Sequence, residues 1–519
     1  MMTRFTAGVV LVAWAGCVAY PLGLLLAATP ADFAYLRTAF LHIPYLDLVW
    51  YPQPVTLLQV QRVCLLLALA TAGLAGVGLE LLRANWSQRY QLQREWAIMC
   101  RRVRKVVQQL SVRQRRMLVV GLVMWLAVRA FINYWLAGED DVSSYQMFVR
   151  HSFLLIGSCY PLPNNHVLTN SISRLFYLMH PGFWWSMRLP VLLLGTVGTL
   201  SWFVLVLLRT NYRVALLAVG LFSCLELSLF NALSGRGYWL ILALSGLGFD
   251  SVLTLSVPAK GRNPAKGRHR QLAWLALGLM GPVGLYAIPT FAFFLFSAYT
   301  WLGAYWLART AWGPLRQLGL LASGTLLTAG LLYTPIVLFS GAESLLHNPY
   351  VEPAADIAAY LRGLPGALWA IEGRLTIEKH LGWTLLLGVL LGSGYLAWQT
   401  KRQAGWRAVF APRLTLLAIW CILSPYLLMI AQRVRAPERT LLYKSQYFFL
   451  LLIVLLERLR AHSWRPVWYR RNSWVVLVGG WLLIQVVLLY RHHEIIRSYG
   501  KPPVTDAHSL LRLFPPTYQ

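Results

Sequence analysis

The chain reads as an all-α integral membrane protein with about 13 transmembrane helices (range about 11–14) and amphipathic helices in one outside loop. Hydrophobic residues fill 58% of the 519 positions and recur in long runs with almost no internal charge. The charged residues between those runs sort by sign from one loop to the next, as they do across a membrane. Lipid offers no partner for backbone N–H and C=O groups, so each run must satisfy its own as a helix. The net charge of +29 would suggest nucleic acid in a water-soluble chain, but here it reports topology, and no nucleic-acid partner is expected.

In order, the expected spans are 6–28, 57–82, 117–137, 188–208, 214–230, 238–257, 272–289, 291–308, 317–340, 382–399, 414–431, 441–457 and 473–490. The first follows a single Arg4, exceeds a signal-peptide core in length, and is expected to be a retained span. Pro289 separates the seventh from the eighth, and the fifth is short. The six cysteines are scattered, with neither a paired framework nor a CxxC spacing.

A cytosolic N-terminus places 29 of the 47 Lys and Arg in inside segments and 13 of the 18 Asp and Glu in outside loops. The preference of basic residues for the cytosolic side selects that frame. The outside loops are then 29–56, 138–187, 231–237, 341–381, 432–440 and a tail from Arg491. Four regions follow: 1–116, two spans and a basic cytosolic segment; 117–340, a module with the acidic loop 138–187; 341–381, a long outside loop; and 382–519, the remaining spans and tail. Segment 83–116 carries ten Lys and Arg with Trp86, Trp96, Ile98 and Val106 interspersed, and reads as an amphipathic helix on anionic headgroups.

Loop 138–187 opens with Glu139, Asp140 and Asp141 immediately after a span. If the triplet closes that helix, its negative charge opposes the helix dipole, a cost that points to use. Tyr145, Phe148, Val149 and Phe153 share one helical face, so the next segment is expected to lie in the interface. The turn PLPNN ends it, and a second amphipathic run, VLTNSISRLFYLM, leads through Phe183, Trp184 and Trp185 back toward the bilayer.

This order of elements resembles the GT-C fold of membrane glycosyltransferases that use lipid-phosphate sugar donors, a group that includes the protein O-mannosyltransferases and the aminoarabinose transferase of lipid A. The residues carrying the resemblance are Asp140 and Asp141 followed by Tyr145, the stretch YPLPNNHVL (Tyr160 to Leu168), SGRGYWLILAL (Ser234 to Leu244) with its Arg-x-Tyr, and APERTLLY (Ala436 to Tyr443) with its Pro-x-Arg. Two departures stand out. Asp141 occupies a position where many relatives have Glu, and two spans precede the module.

The resemblance implies inverting transfer of a sugar from a polyprenyl-phosphate donor to an acceptor hydroxyl of a lipid, glycan or protein outside the cytosol. Such transfer needs one base for the hydroxyl proton and a cationic pocket for the departing phosphate. Asp140 is the expected base. Asp141 or Glu139 would orient it, hold a divalent cation or crowd its charge. Arg236, Arg439 and Lys444, each at the outer end of a span, are the expected phosphate contacts, with lipid-headgroup contact as the plainer role. Tyr145, Tyr238, Asn164, Asn165 and His166 are expected to contact substrate, although an Asn pair before a helix also makes a turn. The sequence fixes no cofactor, and a divalent cation on Asp140, Asp141 and His166 stays open, because no complete ligand motif is present.

Arg129, Glu226 and Asp250 lie inside spans, where charge has either a functional or a paired structural role. A flippase for a lipid-linked sugar is the alternative class, suggested by GPVGLYAIP (Gly281 to Pro289), although no matching break occurs in another half. A lipid-linked glycan polymerase or ligase is a third, and would call for a loop 341–381 richer in Arg and His. The expected location is a bacterial inner membrane, with the acids on the periplasmic face.

Overall fold

The computed structural model of the chain describes residues 1–39, 53–135, 139–161, 163, 165–257, 270–346, 353–378, 381–404, 413–461 and 479–490. Asn164, the stretch 258–269 and the tail from 491 lie outside the described residues. Among those described there is helix and no strand. Each expected span coincides with helix where it is described, though several are interrupted. The fifth divides into Tyr212–Ser223 and Glu226–Leu233, and the ninth into Trp312–Leu332 and Thr334–Ser340. The eleventh divides into Arg413–Leu423 and Pro425–Gln432. Pro335 and Pro425 each begin a new helix, where a missing N–H costs nothing.

Among the described residues, six helices are long and apolar enough to cross a membrane: Arg4–Ala27, Leu57–Ala84, Trp184–Arg209, Tyr238–Leu255, Trp312–Leu332 and Arg413–Gln432. The others are shorter, broken or more polar, as helices facing protein in place of lipid can be. The first two run together as a hairpin. Gly8 and Gly78 bring them close, since a Cβ on Gly8 would stand 2.8 Å from the Gly78 carbonyl oxygen. Trp14 donates to the Gly278 carbonyl at 2.8 Å and so ties this hairpin to the Arg270–Ala287 helix.

The main core gathers Trp274, Tyr305, Phe291, Phe294, Tyr443 and Tyr447 at the centre of the bundle. A second core joins the N-terminal hairpin to the start of the acidic loop through Val18, Leu25, Phe148, Leu155, Ile156 and Ile336. That packing corrects the expectation for the first amphipathic segment. Phe148, Leu155 and Ile156 are wholly buried, because the hairpin and the Thr334–Ser340 helix cover the face that lipid would have covered. The second amphipathic helix, Val167–Met179, does point apolar residues outward. Leu175, Leu178 and Met179 are exposed, while Thr169, Asn170 and Ser173 face the protein.

Asp250 accepts from Arg209 Nε at 2.6 Å, and the same guanidinium reaches Thr254. This is the paired structural role. Arg129 is buried with its guanidinium over the Trp125 ring at 4.6 Å.

Candidate active site

The acidic triplet lies on a short helix, Glu139–Ser144; the helix before it is described as far as Trp135, and residues 136–138 lie outside the described residues. The short helix continues into a π-helical segment, Tyr145–Val149, and a second π-helical segment, Trp184–Arg188, ends the loop. Such widened turns re-aim the side chains around them.

The two aspartates face different surroundings. Asp140 has a side chain 52% exposed, pairs with Arg236 Nη1, and lies 4.0 Å from Arg439 Nη1. Asp141 has a side chain only 2% exposed. It accepts from Arg188 Nη2 at 2.6 Å and from the Gly235 backbone N–H at 3.0 Å. Burial pushes its carboxyl upward, against the pull of Arg188 and Arg236. Asp141 thus ties the second π-helical segment to the Ser234–Tyr238 turn, while Asp140 looks out.

Arg236, on that turn, is buried and connects three groups. It pairs with Asp140, donates from Nε to His166 Nε2 at 3.0 Å, and lies 5.3 Å from the Tyr238 ring centre. His166 stands edge-on to the same tyrosine at 5.6 Å. The Ala287 backbone also acts on this ring, in the direction that favours its protonation. Burial first, then Arg236 and Arg439, hold the imidazole well below its usual value, so it stays neutral and accepts from Arg236. Ala287 ends the helix that breaks before Pro289. The interruption that suggested a transporter thus borders His166.

Several expected contacts are occupied within the protein. Asn165 donates to the Ile156 and Cys159 carbonyls at 2.8 and 2.7 Å, and its oxygen accepts from Asn170 at 2.9 Å. Its amide therefore shapes the turn. The Tyr145 hydroxyl donates to the Pro181 carbonyl, and its ring packs on Phe183, which places it under the acids as core. Lys444 does not reach a ligand-accessible surface. It is 1% exposed, pairs with Glu372, and lies 3.0 Å from the Tyr426 hydroxyl, which also bonds Glu372. Of the three expected phosphate contacts, Arg439, with a side chain 44% exposed, is the open cation.

Arg188, Glu372 and Tyr426 carry little local signal in the sequence and were not among the expected site residues. Arg188 follows the aromatic run FWW, and its one signal was a cation at the outer end of a span. Among the described residues, no three His, Cys, Asp or Glu side chains group to hold a metal ion. Asp140 and His166 both face Arg236 and Asp141 faces Arg188, so the expected cation set is crossed by guanidinium groups instead.

These observations define an all-helical protein with membrane-spanning helices and a half-open acid–guanidinium rim. Its structure is similar to two crystal structures of ArnT from Cupriavidus metallidurans. With the apo state the identity is 15% over 66% of this chain and 60% of that one, at a TM-score of 0.42. With the state bound to undecaprenyl phosphate it is 14% over 76% and 74%, at a TM-score of 0.44. The chain thus spans 60% of the length of the apo ArnT chain it matches. No family model matches the chain. No curated protein matches it in sequence.

Proposed function

We propose that the chain is a membrane glycosyltransferase. It moves a sugar from a polyprenyl-phosphate carrier to an acceptor hydroxyl on the extracytoplasmic face, with inversion. The observation that carries the reading is Asp140. It is a half-exposed carboxylate held between one buried and one open arginine, in the loop where the motif resemblance expects a base.

In that reaction the acceptor oxygen attacks the anomeric carbon as Asp140 takes the hydroxyl proton. The bond from that carbon to the phosphate oxygen breaks, and polyprenyl phosphate departs with the electron pair. Arg236 holds Asp140 in place through their ion pair, and Arg439 meets the charge that develops on the phosphate. His166, neutral and accepting from Arg236 Nε, fixes the orientation of Arg236. Asp141 has a positioning role, because its carboxylate is enclosed by Arg188 and the Gly235 N–H. No step calls for a metal ion.

The test is transfer from a panel of radiolabelled polyprenyl-phosphate sugars by purified wild type beside Asp140→Asn. Loss of turnover with retained carrier binding supports the base. Unchanged turnover in the variant, or no donor consumed by either protein, sinks the reading.

A further inference from the structure

The basic segment expected to lie on headgroups forms the helix Arg89–Gln109, and its packing divides its circumference into three sectors. At 3.6 residues per turn, Glu95 and Val106 share the first sector. Glu95 is 6% exposed and accepts from the backbone N–H groups of Gln271 and Leu272 at 2.8 and 3.1 Å, capping the Arg270–Ala287 helix. Val106 packs on the main core. This sector faces protein.

The second sector holds Trp96, Met99, Cys100, Val103 and Val107, spaced to form one stripe. It lines a shallow, open groove of about 440 Å3 whose surface is almost wholly apolar and is formed by this one helix alone, with Trp96 57% exposed. The third sector, beside it, carries Arg94, Arg101, Arg104 and Lys105, all exposed. A helix floating in water would not leave an apolar stripe open next to a cationic one. An aqueous protein partner would leave the cationic row unexplained.

We propose that this groove binds one anionic phospholipid of the cytosolic leaflet, its acyl chain along Trp96, Cys100, Val103 and Val107 and its phosphate on Arg101, Arg104 and Lys105. The charge complementarity is direct, and Arg104 lines the groove itself, so one ligand meets both sectors. Trp86 and Tyr90, exposed near the start of the helix with Arg89 stacked on both, supply the aromatic anchoring found at headgroup depth. The Leu57–Ala84 helix just before it leaves most of its apolar surface outside the protein, so bilayer already adjoins this region. Specific lipid retention here does not depend on the transferase reading.

The test uses the full-length protein in nanodiscs of phosphatidylcholine doped with phosphatidylglycerol. Wild type should retain phosphatidylglycerol through detergent extraction, as counted by native mass spectrometry. The triple variant Arg101→Gln/Arg104→Gln/Lys105→Gln should weaken that retention about 100-fold, since each cation contributes about a factor of five near the surface. All three side chains are exposed, so the variant's melting temperature should match wild type. Equal phosphatidylglycerol retention by both proteins would overturn the site. A second measurement uses a spin label on Cys100, the exposed member among the described cysteines, with Cys100→Ser as control. Relaxation by oxygen is expected to exceed relaxation by a water-soluble nickel chelate. The reverse result would mean that the stripe faces water or a soluble partner, and the lipid assignment would fall.

Discussion

Asp140 with Arg236 and Glu372 with Lys444 are both acid–cation pairs at the ends of helices, yet they differ in closure. The Glu372 pair is sealed. Both side chains are at most 3% exposed, Tyr426 bonds both, and the surrounding aromatics complete a core. The Asp140 pair is open on one side. Arg236 is buried and oriented by His166, while Asp140 and the nearby Arg439 keep about half their side-chain surface. A closed pair holds helices together. A half-open pair with its buried member braced presents charge to something that is not part of the chain.

The most direct challenge to this contrast is to neutralise one member of each pair. Asp140→Asn should cost about 10²–10⁴-fold in transfer rate, the range for removing a general base. It should lower the melting temperature less than Lys444→Met does, because Asp140 is half exposed and an asparagine oxygen can still accept from the buried Arg236. A large loss of stability in Asp140→Asn would erase the distinction. On the sealed side, Lys444→Met should destabilise by about 3–5 kcal/mol, because it strands a buried carboxylate. The double variant Lys444→Met/Glu372→Met should recover most of that loss. Thermal unfolding of both variants measures this, and an additive double variant would show that the two side chains do not act as a pair.

Smaller effects refine the open side. Arg439→Ala should weaken binding of polyprenyl phosphate by about tenfold, one charge-assisted contact, while leaving stability alone. Titration with the carrier reports it, and unchanged affinity would remove Arg439 from the phosphate pocket. The smallest effect is a pH dependence from His166. Its folded value is depressed below the usual 6.5, so the unfolded chain binds the extra proton first as pH falls. Its contribution to stability is complete above about pH 6.5 and is lost as pH drops toward the folded value. Wild type should therefore lose melting temperature between about pH 6.5 and 5 more steeply than His166→Gln, and parallel curves would mean that the ring is not held neutral.

The acid and the arginine of the open pair are legible in the chain itself. A carboxylate triplet just past an apolar run and an Arg-x-Tyr opening another are local patterns, and charge counting places both on one side. Asp140 and Asp141 are not distinguishable that way, because adjacent residues on a short helix diverge in direction and only the packing of Arg188 and Gly235 shows which is enclosed. Lys444 misleads for a related reason. A cation at a span end reads alike whether it meets headgroups or a buried glutamate 72 residues away.

The helical class and the sorting of charge between loops follow from the amino-acid sequence alone, because the bilayer imposes length, apolarity and a satisfied backbone on every crossing segment. Which charges are closed and which are open is a matter of tertiary contact. It depends on residues 70 to 96 positions apart, such as His166 with Arg236 and Asp140 with Arg236, and no local pattern in the chain encodes those pairings.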